Sequence, residues 1–264
     1  MNNQLWGIYS NHINELVDIK RQIGFKYDTE EHIYKHFDRF TISRGEKEIG
    51  ITRELAEEWI KKKPNESDSY RYKKAVCLNQ LASFLSKQGI PSYISQLPPF
   101  RYSFVPYIYN KQEITNIFEA CDKLTIKSGR KSIIIIIPAL IRLLYGTDLR
   151  ISEALSLQNE DVNLDQQFLI VRDSKNGGER MLPTADSLVE VCREYLKYRE
   201  MLPIGIPDSN NFFLSLDGRE CQSDYVRKWF KVILKQAGIA ISDAGPRVHD
   251  LRHTFCVHSL ASME

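Results

Sequence analysis

The stretch Pro246-Arg247-Val248-His249-Asp250-Leu251-Arg252-His253-Thr254-Phe255 carries the most specific pattern in this 264-residue chain. On a helix, His249 and Arg252 are three residues apart and project from one face. A permanent guanidinium then stands beside an imidazole that trades protons near neutral pH, a pairing suited to a phosphodiester. By itself, such a pair ordinarily marks a solvated helix face. His249, His253 and His258 also raise a metal site. No third convergent ligand is evident, and Asp250 points off the shared face, so no metal is assigned.

Upstream of this helix lie the elements that give it a setting. Gly146-Thr147-Asp148-Leu149-Arg150-Ile151-Ser152-Glu153-Ala154-Leu155 reads as a turn running into a helix. Residues 168–172 and 179–183, joined through Ser174-Lys175-Asn176-Gly177-Gly178, read as a β-hairpin. Helices are predicted over 186–201 and 223–237, the second ended by Gly238, with a short apolar strand Phe212-Phe213-Leu214 between them. Asn110 with Glu113 has capping-box spacing ahead of Ile114, Ile117, Phe118 and Cys121. The run Ile133-Ile134-Ile135-Ile136-Ile137-Pro138-Ala139-Leu140-Ile141, between Lys131 and Arg142, is too short to span a bilayer and reads as a buried core helix.

The first hundred residues have a different character. Leu5, Tyr9, Ile13, Leu16 and Ile23 form an apolar stripe ending at Gly24, and a further helix is predicted over 34–40. Thr52 can cap a segment whose Leu55, Ala56, Trp59 and Ile60 face inward, stopped by Pro64. Ser67 opens another, with Leu78, Leu81, Ala82 and Leu85 on one side and Gly89 past its end. Pro91, Pro98, Pro99 and Pro106 then interrupt any period. The expected organisation is a helical domain over 1–95, a Pro-rich linker over 96–108 and a second domain over 109–264. The fold class is mainly α with a small antiparallel β-sheet (α+β).

A net charge of +2, with 42% hydrophobic and 27% charged residues, describes a soluble globular chain, neither disordered nor strongly basic. A nucleic-acid binder of this balance must concentrate its positive charge on one surface. The five cysteines form no CxxC pair, so neither a zinc ribbon nor a disulfide framework is indicated, and four are expected to be buried thiols. Met1-Asn2-Asn3-Gln4 lacks the basic and apolar regions of a signal peptide. The expected location is cytoplasmic, with nucleoid association if DNA is bound.

Taken together, the Arg150 segment, the Lys175 hairpin, Phe212-Phe213-Leu214-Ser215 and His249-Asp250-Leu251-Arg252-His253 resemble, in order and spacing, the catalytic domain of the tyrosine recombinases, or phage-type integrases. The helical first half resembles the SAM-like core-binding domain of that family. The resemblance implies strand cleavage by a tyrosine that attacks a backbone phosphate, leaving a phosphotyrosyl bond and a free 5′ hydroxyl, with no cofactor. It implies double-stranded DNA as partner, other recombinase subunits assembled as a tetramer on DNA, and no membrane.

On the residues that match, it makes Arg150 and Arg252 the guanidiniums that stabilise the extra negative charge of the transition state. Lys175 becomes the donor to the leaving 5′ oxygen, and His249 assists proton transfer. Glu153 and His253 fall on positions that orient these groups. Lys61, Lys62, Lys63, Arg71, Lys73 and Lys74 in the first domain, with Arg227, Lys228, Lys231 and Lys235 in the second, are candidate phosphate contacts. Clusters of this kind otherwise form solvated helix ends.

One departure stands out. The family carries a further His or Trp and then the nucleophilic tyrosine downstream of the His249–Arg252 helix, whereas this chain stops a dozen residues after Arg252 and all thirteen tyrosines lie upstream. The expectation is a catalytic domain incomplete at its C-terminus, with no nucleophile of its own. Apolar surface would then be exposed near Leu251 and Phe255. Tyr145, near Arg150, reads as core. The alternatives are a non-catalytic DNA-binding fragment or decayed recombinase that occupies sites, and, further off, a type IB-like DNA-relaxing enzyme.

Overall fold

The computed structural model describes residues 5–100, 105–125, 133–172, 178–202, 209–242 and 245–262. The chain is mainly helical with one small antiparallel sheet, and it divides into two compact units, Met1–Phe104 and Val105–Glu264.

In the first unit the described helices are α1 (Ser10–Gln22), α2 (Asp28–Arg44), α3 (Arg53–Ile60) and α4 (Asp68–Lys87), and α4 packs against the other three. The side chains of Thr52 and Ser67 accept the N–H groups of Leu55 and Tyr70, which starts α3 and α4 where their caps predict. α2 runs well beyond the predicted 34–40. Asp28, Glu30 and Glu31 sit in its first turn against the positive end of the helix dipole, and Gly45 closes it in the left-handed region at φ 72°. Tyr9, Ile13, Leu16 and Val17 form the buried side of α1, whereas Ile23, expected on that stripe, is 63% exposed because α1 ends before it. α3 ends at Ile60, short of Pro64.

The second unit contains α5 (Lys111–Asp122), α6 (Ile137–Gly146), α7 (Ile151–Leu155), strands β1 (Val162–Asn163), β2 (Phe168–Val171) and β3 (Arg180–Pro183), then α8 (Asp186–Glu200), α9 (Ser223–Gln236) and α10 (His249–Ala261). Asn110 and Glu113 form a reciprocal capping box on α5. Six of the ten residues of α6 are buried, and it packs against α5, α8 and α10, which makes it the centre of this core. It begins at Ile137, later than the Ile run suggests. Pro138 occupies its first turn, where a missing N–H leaves no bond unmade. No helix among the described residues is long and apolar enough to cross a membrane.

The sheet has the order β1-β2-β3, and the β2–β3 hairpin pairs Leu169 with Leu182 and Val171 with Arg180. Phe212-Phe213-Leu214 is not the strand expected: only isolated bridges flank it, between Gln158 and Asn211 and between Leu214 and Glu220. Its three side chains are buried, and the Tyr195 hydroxyl donates to the Phe212 carbonyl while accepting the Leu214 N–H. A tyrosine thus satisfies backbone groups that a neighbouring strand would otherwise pair.

Cys77, Cys121, Cys192 and Cys221 are buried, and burial pushes each thiol up to about 12. On α10, Leu251 is buried and Phe255 half-buried, so the exposed apolar side chains are instead Val257 and Leu260, further along the helix.

Candidate active site

The site grows from the turn between α6 and α7. Arg150 is the N-cap residue of α7, and its own N–H donates to Glu153 Oε2 at 2.8 Å. The Arg150 guanidinium reaches the same carboxylate through Nη1, 2.7 Å from Oε1. Glu153 is buried and takes a second guanidinium, that of Arg180 on β3, at 2.9 Å. Arg180 also donates to the Asp148 carbonyl at 3.2 Å. Asp148 in turn holds Arg252, with Nε 2.7 Å from Oδ1 and Nη2 3.0 Å from Oδ2. Arg150, Glu153, Arg180, Asp148 and Arg252 therefore form one connected cluster, drawn from a turn, a strand and α10.

α10 is anchored independently of this cluster. Asp250 is buried and accepts the Arg247 N–H at 2.7 Å, and the Thr254 hydroxyl accepts the Tyr109 N–H at 3.0 Å. Those residues lie on the side of α10 away from His249 and Arg252, so the packed face fixes which face remains for chemistry. The His249 and His253 rings meet edge-on with centroids 4.8 Å apart. Burial, then the neighbouring His253 and Arg252, hold the His249 imidazole below its ordinary 6.5, so it is neutral at pH 7. For Glu153, burial acts upward. The Arg150 N–H and the Arg180 and Arg150 guanidiniums outweigh it, and the carboxyl lies below its ordinary 4.5.

Three guanidiniums against two carboxylates leave the cluster positive. Two of its nitrogens, Arg180 Nε and Arg252 Nη1, are buried with no hydrogen-bond partner among the described residues. A buried donor left unpaired costs about 1–3 kcal/mol. No three His, Cys, Asp or Glu side chains are grouped to hold a metal ion among the described residues.

The remaining predicted site residues have different placements. Lys175 lies outside the described residues, although both strands of its hairpin are described. Lys61, Lys62 and Lys63 are exposed beyond α3, with Lys62 paired to Asp68 at 2.6 Å. Arg71 donates to the Ile60 carbonyl at 2.8 Å and Lys73 pairs with Glu30 at 3.1 Å. Lys74 is a correction: its side chain is 2% exposed, salt-bridged to Glu66 at 2.7 Å and set 4.7 Å from the Trp59 ring. It faces the core because it falls one turn before Leu78 on the buried side of α4, so it is not a surface cation. On α9, Arg227, Lys228, Lys231 and Lys235 are exposed, with Arg227 paired to Asp224 at 2.5 Å. Asp148 and Arg180 are members of the cluster that the motif did not single out. Asp148 stood inside the Arg150 segment, and Arg180 stood second in the expected 179–183 strand.

A helical unit with this short sheet, an arginine at the head of α7 and a His–Arg face on α10 has the layout of an integrase-type catalytic domain. The phage integrase family model matches residues 108–262, and the chain belongs to that family, the tyrosine recombinases. A putative integrase/recombinase of Sinorhizobium fredii is 28% identical over 94% of this chain and 80% of its own length. Tyrosine recombinase XerA of Pyrococcus horikoshii is 29% identical over 70% of this chain, a match spanning 59% of that relative. In fold, the chain resembles a lambda integrase dimer bound to a core site, with TM-score 0.70 and 16% identity over 96% of this chain and 87% of that one. It also resembles XerH bound to a difH substrate, with TM-score 0.66 and 20% identity over 89% and 69%.

Proposed function

We propose that this chain binds duplex DNA as a site-specific recombinase of the integrase type and grips one backbone phosphate between Arg150 and Arg252. The observation that carries this reading is the connected cluster. Two carboxylates orient the guanidiniums, an imidazole stays neutral beside them, and two buried N–H donors have no partner among the described residues. Family membership supports the same reaction class. In that reaction a tyrosine oxygen bonds to phosphorus, the bond to the 5′ oxygen breaks, and Lys175 donates the proton that the leaving oxygen takes up. His249, neutral at pH 7, assists removal of the tyrosine proton. Lambda integrase as a tetramer on a Holliday junction supports several subunits acting together on DNA.

Selection of bound duplexes from a randomised pool tests this reading. Selected duplexes bind, and failure to bind any duplex in low salt overturns it.

A further inference from the structure

Arg150 and Arg252 are held by their carboxylates in different ways. Glu153 is built into the turn: it accepts the Arg150 N–H and two guanidiniums, and its side chain is 7% exposed. It takes only Nη1 of Arg150. Asp148 instead lays both oxygens along the Nε–Nη2 edge of Arg252, the fork that two non-bridging phosphate oxygens would use. Among the described residues, its carboxylate makes no other hydrogen bond or ion pair, and its side chain is 39% exposed against 19% for Arg252. Nη1 of Arg252 is buried with no hydrogen-bond partner among the described residues, and the more exposed Asp148 lies on the other edge.

We propose that Asp148 is an internal counter-anion that caps Arg252 in the DNA-free protein and must give up that edge when a backbone phosphate enters. This rests on the reading of Arg150, His249 and Arg252 as the phosphate site. A phosphate brought to the same edge would meet the carboxylate at close range, and two anions on one guanidinium edge repel. Release is cheap because Asp148 is half-exposed and can be hydrated once free, while the guanidinium exchanges one anion for another on the same edge. Asp148 thereby gates the site, keeping a half-buried cation paired until DNA supplies the anion.

The test is fluorescence anisotropy with a selected duplex, comparing wild type, Asp148→Asn and Asp148→Ser, each also in an Arg252→Gln background. Both single variants should bind about fivefold tighter than wild type, the effect of removing one competing partly exposed charge. The gain should vanish in the Arg252→Gln background, because the gate has nothing left to cap. A gain that persists there reflects general loss of negative charge and overturns the proposal. Equal or weaker binding by the variants, with wild type binding normally, overturns the gate alone. Unfolding of both variants by circular dichroism also overturns it, since a releasable cap is not a pillar of the fold. Failure of wild type to bind any duplex is a failure of the underlying DNA reading instead.

Discussion

Glu153 holds Arg150 at two points, through the backbone N–H at 2.8 Å and the guanidinium at 2.7 Å. One carboxylate thus caps the start of α7 and fixes the direction of the side chain that the site needs. Arg180 completes the arrangement from β3, so the hairpin is tied to the turn by the same two oxygens. The geometry of the turn, the sheet and the cation are set together.

Glu153→Ala should therefore destabilise the chain by about 2–4 kcal/mol, because it leaves an uncapped N–H and two guanidiniums without their buried anion. Urea denaturation checks this. The Glu153 carboxyl lies below its ordinary 4.5 in the folded state, so its contribution is present above pH 4.5 and is lost as pH falls through the lower folded value. The stability gap between wild type and Glu153→Gln should accordingly narrow on acidification below pH 4.5.

His249 should titrate below 6.5 in the DNA-free protein, with the midpoint rising when a phosphate is bound beside it. Its neutral form is favoured by folding, so protonation costs stability as pH drops through 6.5. An imidazole resonance followed by NMR, with and without DNA, reads both midpoints. A midpoint that DNA leaves in place would separate His249 from the phosphate.

Lys74→Met should lower stability by about 3 kcal/mol by stranding Glu66 without its partner, yet leave DNA affinity of the folded protein unchanged. Thermal melts and anisotropy separate the two effects. A loss of affinity larger than that of Lys61→Gln would restore Lys74 as a DNA contact.

Replacing Lys63, Lys228 or Lys231 with Gln should weaken binding to all duplexes alike. Each true phosphate contact removed should reduce the slope of log affinity against log salt by about 1. A variant whose slope matches wild type carries a lysine that faces solvent only.

Much of this was legible in the sequence because its signals are local. The capping box at Asn110 and the caps at Thr52 and Ser67 each reside within a few residues, and each helix starts where its signal lies. Long-range partners were less legible. Asp148 and Arg252 are 104 residues apart, and nothing local indicates that one holds the other. Lys74 was readable in principle: its spacing to Leu78, Leu81 and Leu85 places it on the buried stripe, but a neighbouring run of basic residues suggested a surface. β1 has only two residues and cannot show alternation, and the backbone at Phe212 and Leu214 is satisfied by a tyrosine hydroxyl that no strand pattern foretells.

The central claim is that Arg150 and Arg252 grip a DNA phosphate. The most direct measurement is anisotropy with one selected duplex at fixed salt, using wild type, Arg150→Gln and Arg252→Gln, each verified as folded by circular dichroism. Each substitution should weaken binding about tenfold, the loss of one charge-assisted phosphate contact. Wild-type affinity in both folded variants would contradict the account.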